Sequence, residues 1–218
     1  VGESVQKPLL YYRNNLVSVI NLLELMPKYN VEGIIFSSSC TVYGQPDVLP
    51  VTESAPIKKA ESPYGNTKQI NEEIIRDTVA SGAPINAIML RYFNPIGAHP
   101  TALIGELPNG VPQNLIPYLT QTAIGIREKL SVFGDDYNTP DGSCIRDYIY
   151  VVDLAKAHVI AMDRILNHKQ KDKVEVFNIG TGRGLSVLEL IKAFEAATGV
   201  KLNYQIVGRR AGDIEKVW

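Results

Sequence analysis

Cysteine is scarce: Cys40 and Cys144 are the only two in 218 residues, they stand far apart, and neither belongs to a Cys-x-x-Cys pair. That argues against a disulfide framework or a zinc site, and it fits a reducing cytoplasm. An excess of charge of one sign is also missing. Lys and Arg number 22 against 23 Asp and Glu, a formal net charge of −1, so no basic stripe invites nucleic acid and no polybasic segment invites a membrane surface. No apolar run reaches the roughly 20 residues needed to cross a bilayer. His99 and His158 stand alone, make no ligand set and read as structural, so no metal is expected. What remains, 45% hydrophobic and 21% charged residues, suits one substantial core or two small ones and a small polar ligand.

Apolar residues recur at helical spacing from Leu9 to Met26, with Pro8 suited to a first turn and Pro27 as a stop. "VEGIIFSSS" reads as a short buried strand, Ile34 to Phe36, ending in small polar residues. A second helix is expected from Tyr64 to Val79, and "INAIMLRYFNP" reads as the next strand. Residues 97–117, rich in Gly, Pro and Asn, read as an excursion over a ligand. A helix over 115–126, strands "LSVFG" and "DYIYV", and a helix from Asp153, its expected N-cap, to Leu166 follow. "VEVFNIGTG", "SVLELIKAFEAATG" and 204–207 complete a strand–helix–strand run. Alternation of this kind predicts an α/β fold, a parallel sheet with helices on both faces, whose ligands sit at strand carboxyl ends. Three polar clusters, "SSSC", "RYFNP" and "NIGTG", lie at such ends and are expected to converge.

In "SPYGNTK", residues 62–68, Tyr64 and Lys68 stand four apart and share a helix face. A phenol titrates near 10. An ammonium ~5 Å away at an effective dielectric of about 20 contributes roughly 3 kcal/mol, or about two pKa units, toward the phenolate. Tyr64 would then serve as a general base. The spacing alone leaves a solvated helix start as the alternative. The serine run Ser37–Ser39 upstream can place a hydroxyl beside the phenol, and that conjunction is much rarer.

At this point the sequence resembles the extended short-chain dehydrogenase/reductase superfamily, whose active site is a Ser/Thr and Tyr-x-x-x-Lys set working on a nicotinamide cofactor. "VGESVQKPL", "FSSSCTVYG", "LRYFNPIGAHP", "GELPNGVPQNLIPY", "VFGDDYNTPDGSCIRDYIYVVDLAKAH" and "GRRAGDI" narrow the resemblance, over nearly the whole chain, to its UDP-glucose 4-epimerase family. The resemblance implies a Rossmann-like parallel sheet plus a smaller α/β substrate-binding region. It implies that residues 1–96 form part of the NAD-binding unit and 97–218 mainly the UDP-sugar region, with 145–180 returning to the main sheet. It implies NAD as cofactor, a UDP-sugar as substrate, a cytoplasmic enzyme, and a homodimer formed by the first two long helices. By this resemblance Tyr64 would take the proton of the sugar's 4-hydroxyl, Lys68 would lower its pKa and hold the nicotinamide ribose, and Ser39 would hydrogen-bond O4. The resemblance also implies that hydride would leave C4 for NAD, that the 4-keto sugar would turn about its link to the diphosphate, and that hydride would return to the opposite face. UDP-glucose and UDP-galactose would thereby be exchanged. Asn14 and Phe93 match positions near the cofactor; Asn94, Asn114, Leu115, Phe133, Arg146, Arg210 and Asp213 match positions around UDP. Arginines are suited to grip a diphosphate, and Asp213 can accept from ribose hydroxyls.

Departures carry information too. Related dehydratases bear an Asp-Glu pair after the serine position, where this chain has Cys40 and Thr41; that argues against dehydration. Cys40 replaces a usual alanine and offers a thiol open to modification. Val217 stands where the family varies between a bulky aromatic and a smaller residue, which suggests tolerance of UDP-N-acetylhexosamines; UDP-uronic acids are a further alternative, and a non-catalytic nucleotide sensor a third. A dinucleotide site needs a glycine-rich turn after a first strand. "GTGRG" at 180–184 is the only candidate, and it matches a late strand of the family. The expectation is therefore an internal fragment, inactive in isolation.

Overall fold

The structure, a computed structural model, describes all residues from Val1 to Trp218. The chain opens with a short helix α1 (Gly2–Gln6) and a long one, α2 (Pro8–Leu25), then enters strand β1 (Gly33–Ser39). A 3-10 turn over Cys40–Tyr43 and an irregular segment lead to α3 (Pro63–Ala80), β2 (Asn86–Tyr92) and the short β3 (Asn94–Ile96). Next come α4 (Leu115–Ala123), β4 (Leu130–Phe133), β5 (Ile145–Tyr150) and α5 (Val151–Leu166). The chain closes with β6 (Val174–Ile179), β7 (Gly184–Ser186), α6 (Val187–Thr198), β8 (Tyr204–Val207) and β9 (Lys216–Val217).

The main sheet is parallel, in the order β1-β2-β6. Its central strand shows why the sequence read as a buried run: Ala87 and Met89 pack under α2 and α3 with Val19, Leu23, Ile75 and Val79, while Ile88 and Leu90 pack under α5 with Ala161 and Ile165. Helices thus cover both faces, as a parallel sheet requires. In this register Ser39, Tyr92 and Ile179 stand side by side. The three polar clusters do converge at the carboxyl edge.

The second region is built from smaller pieces. β5 takes β3 on one side in parallel, and β7 and β9 through its first residues. β4 pairs with β8, and Leu119, Leu130, Val132, Ile191 and Leu202 form the core between them, α4 and α6. α6 starts with a capping box: Ser186 Oγ accepts from Glu189 N at 3.0 Å while Glu189 Oε2 accepts from Ser186 N at 2.8 Å.

Three expectations are corrected. Asp153 is not the N-cap of α5; the strand runs straight into the helix at Val151, and Asp153 lies in the first turn, paired with Lys156 at 3.0 Å. α4 stops at Ala123 rather than 126, because Gly125 adopts a φ of +80°. The strand read as Ile34–Phe36 extends to Ser39, and β3, β7 and β9 were not anticipated, being too short for any period to show.

Candidate active site and nucleotide cleft

Ser39 ends β1 and is buried; its hydroxyl accepts from Thr41 N at 3.2 Å and so caps the 3-10 turn. Tyr64 and Lys68 come from the first two turns of α3. That helix starts where it does because Ser62 caps it, accepting from Gly65 N at 3.2 Å, with Pro63 in the first turn. Ser4 of α1 accepts from Tyr64 N at 3.2 Å, and the Tyr11 ring meets the Tyr64 ring edge-on at 6.5 Å between centroids. Lys68 Nζ stands 5.6 Å from the Tyr64 ring centroid and 5.1 Å from that of Phe36, and donates to the Ser37 carbonyl at 2.8 Å.

The electrostatics differ from the sequence expectation. Burial pushes the Tyr64 phenol above its ordinary value, opposed by the Ser39 hydroxyl, and burial pulls the Lys68 ammonium down. The expected lowering of Tyr64 by Lys68 alone is absent, because the ammonium lies against the ring and is tied to a backbone carbonyl rather than to the phenol oxygen. The Cys40 thiol is pushed up to about 12 by burial, against the pull of Arg146. It is an inert buried group, which corrects the suggestion of a modifiable thiol.

A cleft of about 320 Å³ opens within the second region, lined from β3, α4, β4 and β5 and from the loops around them. All seven residues matched to the UDP side line it: Asn94, Asn114 and Leu115 from one wall, Phe133 and Arg146 from β4 and β5, and Arg210 with Asp213 from the segment before β9. A smaller cavity of about 140 Å³ shares Asn94, Asn114, Arg146, Arg210 and Asp213 with it and continues to Cys40, Thr41 and Val217. It therefore runs from the arginines to the residues next to Ser39. Thr41 Oγ1 is buried there without a partner.

The arginines do not stand free. Arg210 donates to both Asp213 oxygens, at 2.8 and 3.1 Å, and its guanidinium lies 5.3 Å over the Phe133 ring. Arg146 Nη2 is 4.0 Å from Asp213 Oδ1, and its Nη1 donates to the Ile145 carbonyl at 2.9 Å. Asp213 thus holds two positive groups side by side at the cleft wall. Asn14 is exposed on α2 and lines neither cavity, whereas Phe93 is buried among Cys40, Val42, Tyr43 and Ile214.

The "GTGRG" turn is engaged internally. Asp147 accepts from Thr181 N at 2.7 Å, Gly182 N at 2.8 Å and Thr181 Oγ1 at 2.7 Å. Its amides thus cradle a carboxylate of the same chain where a phosphate-binding turn would keep them open.

Apart from Ser38, which the serine run contains, one group of residues is not singled out by the sequence. Ser38, Glu72, Arg91, Tyr43 and Asn178 form a buried polar chain beneath the serine run. Burial alone would lower Arg91, yet the Glu72 carboxylate raises it above its ordinary value. The available signal was the spacing 64, 68, 72, a third member of the same helical stripe.

The profile of the NAD dependent epimerase/dehydratase family matches residues 1–180. The chain belongs to that family. It is 53% identical over 214 residues to the UDP-glucose 4-epimerase of Dictyostelium discoideum, covering 98% of this chain and 61% of that protein. Its fold superposes on the crystal structure of UDP-glucose 4-epimerase from Bifidobacterium longum in complex with NAD+ and UDP, with a TM-score of 0.95 and 51% identity, covering 100% of this chain and 64% of that one. The enzyme from Stenotrophomonas maltophila, with bound NAD and formylated UDP-arabinopyranose, gives a TM-score of 0.92 at 48% identity, over 100% and 64% of the two chains. The chain thus spans about three-fifths of the length of the relatives it matches.

Proposed function

We propose that the protein of which this chain is part interconverts UDP-glucose and UDP-galactose, with Tyr64 as the base at the sugar's 4-hydroxyl. The observation that carries the reading is one continuous cleft, with the paired arginines in its wall and a smaller cavity that ends beside Ser39. Arg146 and Arg210 would turn from Asp213 toward a diphosphate, and Phe133 and Leu115 would flank the base. The sugar would then occupy the smaller cavity, whose wall includes Cys40 and Thr41 next to Ser39, while Ser39, Tyr64 and Lys68 themselves line neither cavity. Ser39 would hold O4, and Tyr64 would accept its proton in one half-reaction and return it in the other. Cys40 and Thr41, where a dehydratase needs a carboxylic acid pair, supply no second acid and base.

The residues present fit the nicotinamide end of NAD. Lys68 has three N–H bonds and gives one to Ser37, leaving donors for ribose hydroxyls beside the Tyr64 phenol. When bound, NAD supplies the redox couple at C4 and a positive charge near the phenol. Asn14 and Phe93 are assigned to the same end, and residues 1–96 to the cofactor unit, with 97–218 mainly serving the UDP-sugar. Turnover of UDP-galactose to UDP-glucose by the complete, NAD-loaded enzyme tests the reading; no conversion by a folded enzyme that binds UDP would overturn it.

Tolerance of N-acetylated sugars is favoured by Val217, whose short side chain borders the smaller cavity. Turnover of UDP-N-acetylgalactosamine is the check, and complete inactivity would end the idea. A cytoplasmic homodimer is also proposed. Leu9, Val17 and Leu22 are exposed on α2 while Val19 and Leu23 face the core, so the helix has an apolar face to offer a second copy. A monomeric mass by light scattering would refute the dimer.

A further inference from the structure

Ser39 hangs from a strand end and Tyr64 with Lys68 from a separate helix, so the reaction depends on how α3 is set against the sheet. The apolar contacts of α3 lie toward its carboxyl half, where Ile75 and Val79 meet Phe36, Ala87 and Met89. Such packing is non-directional and does not fix the helix along its own axis. Direction has to come from polar bonds.

Lys68 gives one such bond to the Ser37 carbonyl, Gln69 one to the Val42 carbonyl at 2.8 Å and Asn71 one to the Asn15 carbonyl at 3.2 Å; the bonds that reach two strands of the main sheet at once meet at Glu72, one turn after Lys68. Its carboxylate accepts from Ser38 Oγ of β1 at 2.5 Å and from Arg91 Nε of β2 at 2.8 Å, and pairs with Arg91 Nη2. Ser38, Arg91 and Asn178 are register partners across β1, β2 and β6, so their side chains leave the sheet on one face as a single rank. Tyr43 closes the rank: its hydroxyl accepts from Arg91 Nη1 at 3.0 Å and donates to Asn178 Oδ1 at 2.6 Å. The rank lies one residue before Ser39, Tyr92 and Ile179. Glu72 and Arg91 are 5% and 3% exposed, and neither lines the cleft or the smaller cavity.

A buried ion pair is an inefficient way to stabilise a fold, since apolar residues of like volume often do as well or better. Directionality is what it adds. Resting on the functional reading above, we propose that Glu72 is a positioning residue of the reaction: through Ser38 and Arg91 it fixes α3, and with it Tyr64 and Lys68, relative to Ser39. Ser37 to Ser39 then act as consecutive anchors. Ser37 holds Lys68 by its carbonyl, Ser38 holds Glu72 by its hydroxyl, and Ser39 faces the sugar. A displacement of ~1 Å at reacting groups can cost about 100-fold in rate.

Two variants of the complete, NAD-loaded enzyme test this, each measured for UDP-galactose turnover and thermal stability. Ser38→Ala removes the strand anchor and leaves the Glu72–Arg91 pair intact. The double variant Glu72→Met/Arg91→Met replaces the pair by apolar groups of similar length. Both are expected to lose about tenfold or more in kcat with KM within about twofold of the parent, the double variant even where its melting temperature matches the parent's. Parental kcat in Ser38→Ala, or in a double variant of restored stability, would overturn the proposal. If the double variant does not fold, Ser38→Ala decides alone. An inactive parent enzyme would instead overturn the functional reading, and the positioning role with it.

Discussion

Tyr148 lines the cleft from β5, and burial pushes its phenol up to about 12, against the charge of Arg146. A phenol with a raised folded-state pKa keeps its proton more tightly when folded. The unfolded chain therefore binds fewer protons than the folded one above about pH 10, and stability falls as pH climbs from there through 12. The free energy of urea unfolding is expected to be insensitive to this group below about pH 10 and to decline above it. Tyr148→Phe should flatten part of that decline; an unchanged slope would show that the ring is not held as described. Tyr64 differs in kind. Its phenol is also raised by burial, with only the Ser39 hydroxyl opposing, so the site as built from this chain favours the neutral form. A base at neutral pH there requires further positive charge close to the hydroxyl, and that requirement is itself a reason to expect a cationic cofactor.

Elements place these residues, and the loop after β6 illustrates how tightly. Gly180 sits where a Cβ would come 2.5 Å from Asp147 Oδ2 and 2.7 Å from the Phe93 ring. Gly180→Ala would force the turn off Asp147, which holds three of its donors, and press on the buried Phe93. A loss of about 1–3 kcal/mol is expected, read from the urea midpoint; a neutral substitution would mean that the turn is free to move. The sequence made some elements plain and concealed others for identifiable reasons. β2 was legible because both of its faces are buried, and α3 because Ser62, Pro63 and a stripe of isoleucines mark it. β9 pairs with β5 across some seventy residues of chain, and no local pattern announces a two-residue strand. Glu72 stands beside Glu73, and its place in the stripe 64, 68, 72 was the one signal that set it apart; the fold shows its carboxylate turned inward to meet Arg91.

On the scale of the whole molecule, the structure joins two regions that the sequence presents separately. The serine run, the Tyr-x-x-x-Lys stripe and the arginine motifs span residues 37 to 213; β1, β2 and β6 end together, and Arg146 of β5 shares the smaller cavity with Cys40 and Thr41, next to Ser39. Their roles came from resemblance, and their placement is a matter of topology. What the sequence could not convey was the state of the arginines, which lie against Asp213. The direct measurement is epimerisation of UDP-galactose by the complete, NAD-loaded enzyme beside its Tyr64→Phe variant, with UDP affinity determined for both. With Tyr64 as the base, kcat should fall about 100- to 10,000-fold while UDP binds equally well. A Tyr64→Phe enzyme that turns over at the parental rate would show that the proton is taken elsewhere.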